Sequence, residues 1–182
     1  MPPRPSRTWF RQCDRRYPFL WDADSQPAAR WHAAGEGPVQ YLADTPDGAW
    51  AEFLRHEEIS DPGDLVGVRR SLWAIEVPDG SEVVAQPELD VRILLGDRSS
   101  YPRCQEEARR LRAGGATAVE VLSAALASGE ARGACVRGGL ADGPSRDGQV
   151  LALFGLRPDL CGWRCALDCT LDARLVRLVR PL

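Results

Sequence analysis

The stretch ARWHAAGEGPVQYLADTPDGAWAEFLRH, Ala29 to His56, contains the clearest local unit of the chain. Its middle, Val39-Gln40-Tyr41-Leu42, is rich in β-branched and aromatic side chains and reads as a strand. Gly35 and Gly37 mark a turn-rich approach to it. Beyond the strand, Thr45 is placed to cap a helix, and Pro46 suits the first helical position, where a backbone N–H is not needed. Asp47 complements the positive helix end, and Ala49 to His56 continues in strong helix formers. A strand feeding a capped helix is therefore the unit from which the rest is read.

Toward the N-terminus, a leader over 1–8, rich in Arg and Pro, runs into an apolar stretch, Thr8 to Phe10, that predicts the first strand. Asp22 to Ala28 reads as loop. Past the helix, Asp61 to Gly67 breaks it, and Ser71 to Val77 alternates as a strand closed by Pro78-Asp79-Gly80. Ser99 or Ser100 before Pro102 opens a second helix, ending near Ala113 at Gly114-Gly115, with Cys104, Ala108 and Leu111 as its core stripe. Val119 to Leu122 predicts a short strand delivering Ser123. Gly129 to Gly148 reads as a polar, mobile loop and Val150 to Phe154 as a buried strand. The alternation of Leu175 to Val179 suggests an added edge strand. Short strands broken by two separated helices define an α+β class, a single domain over 9–182 without repeats or a linker.

With 182 residues, the chain is long enough for one substantial core and short for two. At 44% hydrophobic and 27% charged, the composition is that of a globular protein, and the net charge of -3 argues against coating nucleic acid. No apolar run approaches the roughly 20 residues of a spanning helix. The first residues lack the apolar core of a secretory signal, so a cytoplasmic location is expected. All 23 basic residues are Arg, which reads as coding bias more than as selection for phosphate recognition. Cys161, Cys165 and Cys169 recur every fourth residue. On a helix they would share one side, yet they lack a fourth ligand and a neighbouring His, so buried apolar thiols are expected there and no metal site.

Four features recur in a known order: Arg30-Trp31 ahead of the glycines, Tyr41 on a strand, Glu52 on the helix after it, and Ser123 in ATAVEVLSAAL ahead of VLALFG. Together they resemble the RES family, named for its Arg, Glu and Ser, most closely over 29–56 and more weakly over 101–155. The resemblance implies an ADP-ribosyltransferase-like fold and an enzyme that consumes NAD by phosphorolysis or hydrolysis. NAD is then a substrate, inorganic phosphate an optional co-substrate, and no separate cofactor is implied. Many members of the family are toxins paired with an antitoxin that covers the pocket, so a cognate antitoxin is an implied partner; nucleic acid and membrane are not. The chain departs from the family pattern in three places. The run from Arg30 to Tyr41 is one residue longer, His32 stands where Asn is usual, and Leu122 stands where Pro often precedes the Ser.

The residue types suit that chemistry. Breaking a nicotinamide–ribose bond builds oxocarbenium character that a carboxylate stabilises, and Glu52 is the candidate. Arg30 offers a planar fork for phosphate oxygens, with Arg11 as a second candidate. Tyr41 offers an aromatic face for nicotinamide and a hydroxyl for ribose or phosphate. Ser123 has no activating base at triad-like spacing, so a hydrogen bond to substrate is expected of it and not covalent catalysis. Trp31 and His32 are expected at the pocket, surface placement of His32 being the equal alternative. Two other readings stay open: transfer of ADP-ribose to a macromolecule, and a silent module that keeps the pocket without turnover.

Overall fold

The computed structural model describes residues 6–181. The leader expected over 1–8 lies outside the described residues as far as residue 5, and Ser6 already begins β1, Ser6–Cys13. The strands β2 (Val39–Ala43), β3 (Arg70–Pro78), β4 (Val84–Ala85), β5 (Ala118–Leu122), β8 (Gln149–Phe154) and β9 (Cys161–Cys169) join it in one sheet of order β4-β5-β8-β2-β1-β3-β9. Only β4 and β5 run parallel among these neighbours. Between β5 and β8, β6 (Ala134–Val136) and β7 (Leu140–Asp142) form a separate hairpin.

Two helices of three turns or more cover the sheet, as an α+β domain requires. In α1, Pro46–His56, Thr45 sits in extended conformation and its side chain accepts from the Gly48 amide at 3.0 Å, so the expected cap is the observed one. Gly48 is needed there, because a Cβ would meet Thr45 Oγ1 at 2.9 Å and Ala43 Cβ at 3.2 Å. α1 buries Ala49, Trp50, Phe53 and Leu54 against Leu72 of β3 and Leu171 and Leu175 of the C-terminal segment. α3, Tyr101–Ala113, buries the expected stripe Cys104, Ala108 and Leu111 against Trp31, Val39, Val119 and Ala152. A one-turn helix, α2 (Val91–Leu94), lies just before it.

Several expectations are corrected. Cys161, Cys165 and Cys169 lie on β9, a strand at the sheet edge, not on a helix. Cys161 and Cys165 are exposed and Cys169 is half-buried, so they are not core residues. Every fourth residue shares a face on a strand as it does on a helix, which is why the spacing misleads. Leu175 to Val179 does not add a strand: Ala173–Leu178 is a 3-10 turn that buries Leu175 beneath α1, and only Val179 bridges, to Leu126. The loop expected over 129–148 contains the β6–β7 hairpin. Among the described residues no helix is long and apolar enough to cross a membrane.

Candidate functional site

The cavity arises from a defect in sheet pairing. β1 pairs with β3 along its whole length, from Ser6↔Pro78 to Cys13↔Ser71, but meets β2 at one register pair, Phe10↔Ala43. The two strands therefore splay apart beyond that point. A cavity of about 630 Å³ opens where they part, lined by Arg11 from β1, Tyr41 from β2, Glu52 and Arg55 from α1, Arg70 from β3, and Arg30 from the segment before β2. That volume lies within the roughly 300–1,000 Å³ of small-molecule sites.

Glu52 is half-buried by area because it lines the cavity, yet it lies deep enough for burial to raise its carboxyl pKa. The hydrogen bond from Ser123 and the charges of Arg30 and Arg55 oppose that rise without cancelling it. Ser123 is 3% exposed and stands directly behind Glu52. Its Oγ accepts from the Ala125 and Leu126 amides at 3.2 and 3.0 Å and donates its hydrogen to Glu52 Oε1 at 2.8 Å. Both N–H contacts occupy hydroxyl lone pairs, so the one hydroxyl hydrogen is committed to the carboxylate. Ser123 is thus turned to Glu52 and holds its orientation, where a contact to substrate was expected.

Arg30 is fixed by the wall opposite. Its Nη1 donates to Ile93 O at 3.2 Å and Ser100 Oγ at 3.0 Å, its Nη2 donates to Gly96 O at 2.7 Å, and its guanidinium lies 4.9 Å from the Tyr101 ring centroid. These bonds tether the 91–100 segment and occupy most of the fork expected for phosphate. Trp31 is 1% exposed: its ring belongs to the core beneath α3 and borders the cavity. The Tyr41 ring lines the cavity, while its hydroxyl turns back to accept from the Trp31 amide at 2.9 Å and to bond His32 Nδ1 at 3.0 Å. His32 is neither on the surface nor at the cavity wall; it is 0% exposed, behind Tyr41.

Arg11 is the most informative cation of the site. Burial pulls its guanidinium down to about 10, with the like charge of Arg70 adding to the shift, so it stays charged at neutral pH. Its recorded side-chain partner is Gln40 Oε1 at 3.5 Å, a long contact to a neutral acceptor. Two further arginines were not singled out in the sequence. Arg55 donates to Leu95 O and Gly96 O through Nη2, while its buried Nη1 has no hydrogen-bond partner among the described residues. Arg70 donates to Gln12 Oε1 at 2.8 Å and lies over the Phe53 ring at 4.7 Å. Arg55 follows Glu52 by three positions on α1, which places both on one helix face, a signal the sequence did carry. Among the described residues, no group of three or more His, Cys, Asp or Glu is placed to hold a metal.

Fold and site together define an α+β protein with an arginine-rich cavity into which the Glu52 carboxylate, held by Ser123, is set. The chain belongs to the RES domain family, whose pattern it matches over residues 8–137. It is 47% identical over 62 residues to Toxin Res of Pseudomonas putida strain KT2440. That match covers 34% of this chain, and the chain spans 39% of the relative's length. A chain of the crystal structure of the M. tuberculosis MbcT-MbcA toxin-antitoxin complex has the same fold, with a TM-score of 0.62 at 18% identity over 96% of this chain and 88% of that one.

Proposed function

We propose that the cavity binds NAD and that the protein breaks its nicotinamide–ribose bond, with phosphate or water capturing the ribosyl cation. The observation that carries this reading is Glu52, a carboxylate held by Ser123 at 2.8 Å in a cavity whose wall also carries Arg11, Arg30, Arg55 and Arg70. Nicotinamide leaves as a neutral molecule with the bonding electron pair, so the departure needs no general acid. What it needs is negative charge beside the ribose as cationic character develops, and one fixed carboxylate supplies that. Arg11 and Arg70, across the split sheet from Arg30, are the arginines suited to the dinucleotide phosphates, because among the described residues Arg11 has no carboxylate partner and Arg70 keeps donors beyond its bond to Gln12. The Tyr41 ring face suits a stacked nicotinamide.

Membership in the RES family and the likeness to proteins described as a toxin and a toxin–antitoxin complex support a further part of the reading: this chain acts as a toxin restrained by a cognate antitoxin. The chemistry is tested by incubating the protein with NAD, with and without inorganic phosphate, and weighing the products. ADP-ribose 1″-phosphate identifies phosphorolysis, free ADP-ribose hydrolysis, and a mass increase on a protein acceptor identifies transfer. Intact NAD under all conditions contradicts the reading.

A further inference from the structure

His32 occupies the interior, fully buried between two polar atoms. Its Nε2 lies 2.9 Å from the Pro27 carbonyl oxygen, which only accepts, so Nε2 carries the ring hydrogen. Burial lowers the imidazole pKa, which keeps the ring neutral at neutral pH. A neutral imidazole has one N–H, so Nδ1 is a bare acceptor. Its neighbour at 3.0 Å is the Tyr41 hydroxyl, and that hydroxyl already accepts from the Trp31 amide at 2.9 Å. The single hydroxyl hydrogen of Tyr41 therefore points to His32.

We propose that His32 is a positioning residue: by accepting the Tyr41 hydroxyl hydrogen it holds the tyrosine so that the ring face, and not a hydroxyl donor, is presented to a ligand in the cavity. The ligand part rests on the functional reading above; the hydrogen-bond part does not. The consequence is specific. Protonating His32 turns Nδ1 into a donor, and the Tyr41 hydrogen must then leave that contact. The charged groups around the ring are Glu36 of the same segment and, from α3, Arg109 bound to Glu36 Oε1 and Arg112 bound to Glu36 O. Glu36 favours the protonated ring and Arg112 disfavours it.

The chain has two histidines, and His56 is exposed, so imidazole nitrogen NMR reads both with an internal standard. His32 should show the Nε2–H tautomer with an accepting Nδ1 and should resist protonation, as its burial requires. An Nδ1–H tautomer, or the tautomer mixture of free imidazole, overturns the proposal without reference to any substrate. On the parent that turns over NAD, His32→Leu should raise KM roughly ten-fold, more than it lowers kcat, as expected for one lost positioning bond. His32→Asn, whose side-chain oxygen reaches about the place of Nδ1, should recover the larger part of that loss. Equal damage from both substitutions contradicts the positioning role. A parent with the expected tautomer but no turnover overturns the functional reading alone.

Discussion

Glu52 and Ser123 stand 71 positions apart in the chain and 2.8 Å apart in space. The gap is closed because β5 delivers Ser123 to a turn whose amides fix its hydroxyl, and α1 presents Glu52 to it. Because an amide at position 52 keeps size and still accepts from Ser123, Glu52→Gln should fold normally and cut turnover roughly 100-fold, a loss of about 3 kcal/mol of transition-state stabilisation. The raised pKa sets the pH behaviour. In the proposed chemistry the ionised form is the active one, so activity should fall as pH drops through a value above the ordinary 4.5 of a glutamate. The folded state also holds that proton more tightly than the unfolded chain, so ionisation costs stability as pH rises through the folded pKa. The melting temperatures of parent and Glu52→Gln should accordingly agree in acid, and the parent should fall below the variant toward neutral pH. Arg11→Met removes a cavity cation whose side-chain contact is a long one to the neutral Gln40; calorimetry should find NAD binding weaker by roughly ten-fold or more. The identities of Arg30, Tyr41, Glu52 and Ser123 were legible in the sequence as a spaced set. Their division of labour was not, because the direction of a hydroxyl and the carbonyls that satisfy a guanidinium depend on residues distant in the chain.

At the scale of elements, the segment 91–100 depends on arginines from elsewhere. Arg30 and Arg55 share the Gly96 carbonyl as an acceptor, at 2.7 and 3.1 Å, and Arg98 donates to His56 O at the end of α1. Arg30→Lys keeps one charge but lacks the planar fork that spans Ile93 O, Ser100 Oγ and Gly96 O. Hydrogen exchange in 91–100 should accelerate in that variant while β1 and β3 stay protected; unchanged protection there means the tether is not what orders the segment. Thr45→Ala removes the observed cap and should cost about 1 kcal/mol by denaturant unfolding. The helix α1 was legible because the Thr45 cap and a proline at the first turn agree with the apolar period, and α3 because Pro102 and the terminating glycine pair do, although Ser100 precedes it without a side-chain capping bond. β9 was not: its Cys, Trp and Leu face outward on a sheet edge with irregular pairing to β3, so its pattern reports no buried face. The hairpin of β6 and β7 did leave a mark, the Gly138-Gly139 pair between Val136 and Leu140, which the polar composition around it obscured.

For the whole molecule, the decisive feature is the sheet that parts between β1 and β2. It lets α1 place a carboxylate where strands would otherwise pair, and it lines the opening with arginines from both halves. The α+β class was legible from the alternation of strand and helix signals. The parting was not, because strand order and the length of a pairing are set by contacts between distant segments. The exposed Cys161 and Cys165 make a related point: their spacing alone suggested a core. Elemental analysis of the purified protein should find no stoichiometric zinc or iron, and one metal per chain would require a different view of β9. In the proposed function Glu52 drives cleavage of NAD within this cavity. Nicotinamide release measured side by side for the parent and for Glu52→Gln, each with its thermal melt, tests it most directly. The parent should release nicotinamide, Glu52→Gln should release it roughly 100-fold more slowly, and the variant should melt no lower. Equal rates from two equally folded proteins would contradict it.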